Sequence, residues 1–83
     1  MNEQAIKWAT QYHAISSRTK FVLVCIAMTA KNGISEAGVA DLSDMTNLEP
    51  EVVEKQLGRL SRLQLIEYDA QENIVLNMRR RVL

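Results

Sequence analysis

The chain has one cysteine, one histidine, one proline and three glycines among 83 residues. A lone Cys25 excludes an internal disulfide framework and any multi-cysteine zinc site. A lone His13 excludes the His-rich metal sites and leaves no second imidazole to build a catalytic pair. Neither a glycine-rich phosphate loop nor a nucleophile–base arrangement is present. No catalytic residue, metal or cofactor is therefore expected, and a binding module fits better than an enzyme. The longest apolar run, Phe21 to Met28, is too short to cross a bilayer. No charged-then-apolar leader opens the chain. These absences predict a small cytoplasmic domain with no membrane partner. Its 47% apolar and 24% charged residues suit a folded chain rather than a disordered one. The sequence alone is compatible with a whole small protein or with the first domain of a longer one.

Charge is absent only in total. Ten basic and ten acidic side chains cancel, but they are segregated. Met1 to Lys31 carries a net +3, from Lys7, Arg18, Lys20 and Lys31 against Glu3. Asn32 to Glu54 carries a net −6 with no base: Glu36, Asp41, Asp44, Glu49, Glu51 and Glu54. Lys55 to Leu83 returns a net +3. Such asymmetry speaks of partners, not of fold.

Periodicity supplies the elements. Ala5, Trp8, Ala9, Tyr12 and Ile15 recur at three- and four-residue steps, predicting an amphipathic N-terminal helix from Glu3 to about His13, within 3–15. Near a helix end, a charged His13 imidazole would suit the dipole. Ser16 and Ser17 are cap residues before an apolar stretch that propensity alone would allow as a strand. The caps, with Lys31-Asn32-Gly33 as a stop, favour a central buried helix from Arg18 to Ala30. Gly33 to Ser35 is a candidate short strand. A helix over Glu36 to Asp44, a turn at Thr46 to Leu48, and a helix over Pro50 to Leu63 follow. Pro50 sits where its missing N–H is harmless, and Val53, Leu57, Leu60 and Leu63 face the core. Leu65 to Tyr68 and Asn73 to Met78 form a hairpin around the four-residue loop Asp69 to Glu72. The expected fold is one α+β domain spanning 1–83, mainly helical, with the helix pair in 36–63 and the hairpin in 65–78. Met28, Met45 and Met78 read as core filler, and Cys25 as a small core residue.

Ala40, Leu42, Leu48, Pro50, Val53, Leu57, Leu60, Leu65 and Ile66 fill an Ala-x-Leu helix, a turn, a Pro start and a Val-x-x-x-Leu-x-x-Leu helix ahead of Leu-Ile. In this the segment Val39 to Ile66 resembles the winged helix-turn-helix family, here with an additional N-terminal helix. The whole of Lys7 to Tyr68 is similar to the domains that open many phage and plasmid replication initiators, and to small bacterial and phage transcription regulators. The resemblance implies double-stranded DNA as partner. It departs at Gln64, where such sequences often have glycine, and at Glu49, Glu51 and Glu54, where they carry neutral or basic groups for the groove.

On the helix from Pro50, steps of about 100° per residue cluster Lys55, Arg59 and Arg62 roughly opposite Val53, Leu57 and Leu60. A basic stripe opposite the core suits phosphate contact, and arginine can also read guanine with two hydrogen bonds. Asn47 and Gln56 are further candidate contacts, and Arg79, Arg80 and Arg81 add charge in the tail. The plainer reading of the stripe is a solvated face, with Glu51 pairing Lys55 one turn on and the early acids complementing the helix dipole. A hairpin loop with Asp69 and Glu72 and no base is a poor minor-groove probe. Trp8 and Tyr12 read as packing or, alternatively, as a homodimer surface. The second functional reading uses the acidic strip Glu36, Asp41, Asp44, Glu49, Glu51 and Glu54 to meet a basic protein partner.

Overall fold

In a computed structural model of the chain, which describes residues 3–12 and 15–78, the elements are α1 (Glu3–Thr10), α2 (Ser17–Thr29), β1 (Ile34–Ser35), α3 (Val39–Thr46), α4 (Pro50–Arg62), β2 (Ile66–Tyr68) and β3 (Ile74–Leu76). The apolar segment that propensity left open is helical. Ser16 caps it, its Oγ accepting from the Thr19 N–H at 3.2 Å, which satisfies one of the donors that a helix start leaves unpaired. Val22, Leu23, Cys25, Ile26 and Ala27 of α2 are buried, and α1, α3 and α4 all pack around this helix.

α1 ends at Thr10, earlier than the periodicity predicts. Thr10 Oγ1 donates to the Lys7 carbonyl, and the Gln11 and Tyr12 N–H groups take i−3 carbonyls, the tightening that closes many helices. Trp8 and Tyr12 meet edge to face, 5.2 Å between ring centres, and both are only 7% exposed. Both rings are packed into the domain's own core. His13 lies outside the described residues.

The chain leaves α2 through a tight turn. Asn32 and Gly33 both have positive φ, and Lys31 and Ile34 exchange backbone hydrogen bonds at 2.8 and 3.0 Å. Only residues that tolerate the left-handed region suit such a turn. β1 follows and pairs antiparallel with β3, which also pairs with β2, so the sheet order is β1-β3-β2. Ser35 is fully buried, and its Oγ lies 2.6 Å from that of Thr29 and accepts from the Ala37 N–H. Residues 36–38 are not helical, Gly38 being extended as the N-cap, so α3 begins at Val39 rather than at Glu36. The Asp41 carboxylate accepts from the Gly38 N–H at 3.0 Å and fastens the helix start.

α4 closes with a Schellman arrangement: Leu65 N–H to Leu60 carbonyl and Gln64 N–H to Ser61 carbonyl, both 3.0 Å. Gln64 has φ +62, carrying a side chain where glycine is favoured. The hairpin loop is tighter than the expected four residues. Asp69 and Asn73 still pair backbone to backbone, and Glu72 sits at φ +64, the left-handed residue of a three-residue hairpin loop. The Asp69 carboxylate holds the loop, accepting from the Gln71 and Asn73 N–H groups and the Asn73 amide.

Helices and sheet share one core, centred on Leu23, Ile26, Leu42, Leu60, Leu65 and Ile66. The result is a compact α+β domain of 29 × 27 × 22 Å. Three residues assigned inward are outside it. Met28 and Met45 are exposed rather than core filler, and so is Leu63. Leu63 is the C-cap of α4, still helical in backbone but about 80° around the axis from Val53, at the edge of the core stripe. Met78 is half-buried against the core.

Candidate nucleic-acid interface

α4 is fixed on both ends and along one side. Its start is set by the link from α3, in which Asn47 adopts the left-handed conformation, φ 57 and ψ 30. Thr46 Oγ1 donates to the Leu42 carbonyl at 2.7 Å and accepts from the Leu48 N–H. Ser43 Oγ donates to the Leu48 carbonyl at 2.5 Å. These bonds satisfy backbone groups that a short inter-helix link would otherwise strand. Glu49 holds the N-cap position of α4, its backbone carbonyl accepting from the Val52 and Val53 N–H groups, and Pro50 opens the helix.

Val53, Gln56, Leu57 and Leu60 face inward. Gln56 corrects the sequence reading. It is 2% exposed, and its Oε1 accepts from Thr19 Oγ1 at 2.6 Å, so it cannot meet a base or a phosphate without unfolding the α2–α4 contact. Lys55, Arg59 and Arg62 are all exposed, as the helix period expects. Arg62 lies back along its own helix, Nε donating to the Gly58 carbonyl at 3.3 Å. Arg59, Arg62 and Leu63 form one wall of a groove of about 280 Å³. Ile15, Ser16 and Thr19, at the start of α2, form the other wall. Gly58 is exposed, and a Cβ there would meet no atom within 4 Å. The outer side of α4 is therefore open at Gly58. Asn47 is exposed beside the start of α4. Arg79, Arg80 and Arg81 lie outside the described residues.

The acids are also placed outward. Glu36, Asp41, Asp44, Glu49, Glu51 and Glu54 are all exposed. They fall into two groups. Glu49, Glu51 and Glu54 surround the first turns of α4, ahead of the cations. Glu36, Asp41 and Asp44 border a groove of about 530 Å³ whose apolar contribution comes from Ala37 and Met45, beside Thr29 of α2.

Among the described residues, no cluster of three or more His, Cys, Asp or Glu is arranged to hold a metal ion, and no buried side-chain polar atom lacks a partner. No helix among them is long and apolar enough to cross a membrane. Burial raises the Cys25 thiol above its ordinary pKa, which makes it a poor nucleophile.

The apolar surface is what the sequence concealed. Phe21 is 47% and Met28 53% exposed, on a helix so uniformly apolar that no face could be singled out. No protein-family model, no curated protein and no solved structure matches the chain.

Proposed function

We propose that the chain is a DNA-binding winged helix-turn-helix module, acting in transcription regulation or in phage or plasmid replication. α3 and α4 form the helix pair, and β2 and β3 form the wing. α4 enters the major groove while α3 crosses the backbone, the docking such modules use. Lys55, Arg59 and Arg62 contact phosphates or guanine edges. The observation that carries this reading is the division of α4. One side is anchored by Val53, Leu57, Leu60 and the buried Gln56, and the other presents three exposed cations. Asn47 is a candidate contact at the helix start. The wing contributes little, because its acids and its Asp69-locked loop offer phosphate nothing positive.

Fluorescence anisotropy of labelled duplex DNA, titrated at several salt concentrations, tests the reading. The expected result is affinity that falls with a log–log slope of about −0.9 for each phosphate contacted. The Lys55→Ala/Arg59→Ala variant should lose binding while keeping its thermal melt. Unchanged binding by that variant excludes this docking.

A second reading is supported by the exposure of all six acids: a protein-interaction module whose acidic surface meets a basic partner. Charge reversal at Glu51 and Glu54 separates the two. It abolishes the association in the second reading and strengthens DNA binding in the first.

A further inference from the structure

α2 is the hub of the core, yet it also carries a stripe that faces solvent. Phe21 and Met28 are seven residues apart and about half exposed, with Val24 half-buried between them. Seven residues span two helical turns, about 10 Å along the axis. Large apolar groups exposed in a row mark interaction surfaces more often than single ones do.

The surroundings of the stripe identify what covers it. At its N-terminal end, Arg18 and Lys20 flank Phe21 on α2. At its C-terminal end, Thr29 opens into the groove bordered by Glu36, Asp41 and Asp44, with Met45 exposed in it. One end is therefore basic and apolar, and the other acidic and apolar. A surface of this kind is complementary to itself when two copies lie antiparallel, which is the requirement of a two-fold interface.

We propose that this face binds a second copy of the chain, forming a two-fold dimer through antiparallel α2 helices. Phe21 of each copy packs toward the other copy's Met28 and Met45. Arg18 of each copy, on the same flank of the stripe as Thr29, faces the other's Glu36, Asp41 and Asp44. The interface leaves α4 free: Thr19 points at α4 through Gln56, and at 100° per residue Phe21, Val24 and Met28 lie about 140–180° around α2 from it. The dimer does not depend on the DNA reading. Were both to hold, it would present two α4 helices on its outer sides.

Sedimentation equilibrium of the protein without nucleic acid, across concentration and at low and high salt, tests the proposal. The expected result is a reversible monomer–dimer equilibrium that loosens as salt rises. Phe21→Glu should weaken it at least about tenfold with an unchanged thermal melt, since the side chain is half exposed in the monomer. Arg18→Glu and Asp44→Lys should each weaken it, and the two together should recover association, because the swap restores opposite charges across the two-fold. A monomer at every concentration overturns the proposal. So does a ladder of higher oligomers, a dimer that survives Phe21→Glu, or a charge swap without recovery. Lys55→Ala/Arg59→Ala should dimerise normally, so a failure of DNA binding and a failure of dimerisation are read separately.

Discussion

Thr19 Oγ1 donates a hydrogen bond to Gln56 Oε1 at 2.6 Å, joining α2 to α4 inside the core. Ser16 Oγ lies 2.8 Å from the same threonine hydroxyl and accepts from the Thr19 N–H. Thr19 has one hydroxyl proton and gives it to Gln56, so the Ser16 hydroxyl is the donor to Thr19. A helix cap is thereby wired through one threonine to the helix that bears the candidate cations. The rotation of α4 about its axis, and with it the outward aim of Lys55 and Arg62, is fixed by a polar pair as well as by apolar packing.

This pair should behave as a unit in equilibrium denaturation. Gln56→Leu removes the acceptor of the Thr19 hydroxyl and leaves it only Ser16 Oγ, and Thr19→Val removes the donor to the Gln56 amide oxygen. Each should cost about 1–3 kcal/mol. The double variant should cost less than the sum, because the donor and the acceptor of the one bond disappear together. At a temperature where Gln56→Leu is folded, its DNA affinity should match that of the unaltered protein. A selective loss of DNA binding would return Gln56 to the interface.

The helical periods were readable in the sequence because apolar positions repeat where elements have one buried face. Val53, Leu57 and Leu60 define α4 this way, and Lys55, Arg59 and Arg62 follow as its outer side. Residue type alone points Gln56 outward, but at about 100° per residue it lies only about 40° from Leu60 and about 60° from Val53, at the edge of the inner side. α2 is apolar on nearly every side, so its pattern could not tell buried Val22 from exposed Phe21. Nor did local pattern reveal the pairing of Ile34 and Ser35 with β3, which joins residues some forty positions apart. The early end of α1 and the late start of α3 depend on hydrogen bonds from Thr10, Ser35 and Asp41 that propensity does not report.

Two residues with side chains occupy left-handed backbone where glycine is the favoured choice. Gln64 ends α4 at φ +62, and Glu72 closes the hairpin loop at φ +64. The strain of a Cβ there exceeds the entropy that glycine adds to the unfolded chain. Gln64→Gly and Glu72→Gly should each stabilise the domain by about 0.5–1 kcal/mol in urea denaturation. Glu72→Val should do the reverse, since a β-branched side chain tolerates this conformation least. A neutral or destabilising Glu72→Gly would mean that the side chain supplies a contact outweighing the strain.

Cys25 predicts a pH dependence with a definite sign. Its thiol is buried, and desolvation raises its pKa above the ordinary 9.0. The unfolded chain releases this proton first as pH rises, so unfolding becomes more favourable above about pH 9. Stability from this group is complete below the unfolded pKa and is lost as pH climbs through the folded one. Tyr68, also raised by desolvation, adds a loss in the same direction at higher pH. Denaturation midpoints measured from pH 7 to 10 should fall less steeply for Cys25→Ala than for the unaltered protein. Labelling by a thiol reagent should be slow in the native state and should accelerate with denaturant. Parallel midpoint curves for the two proteins would exclude the thiol as the source.

The acids ahead of the cations on α4 set two demands against each other. Glu49 and Glu51 occupy the positive end of the helix, where negative charge is favourable, and Glu51 stands one turn before Lys55 in the favoured order. In the proposed DNA complex the same carboxylates would lie near phosphate and oppose the attraction of Lys55, Arg59 and Arg62. Glu51→Gln/Glu54→Gln keeps the shape and removes two charges. It should lower the thermal melt slightly and raise DNA affinity several-fold at low ionic strength, with the gain fading as salt screens the repulsion. The salt slope should change little, because no cation–phosphate contact is added. Unaltered DNA affinity in this variant, together with loss of binding to a basic polypeptide, would mean that these acids face a protein instead, and that the cations beside them are a solvated helix surface.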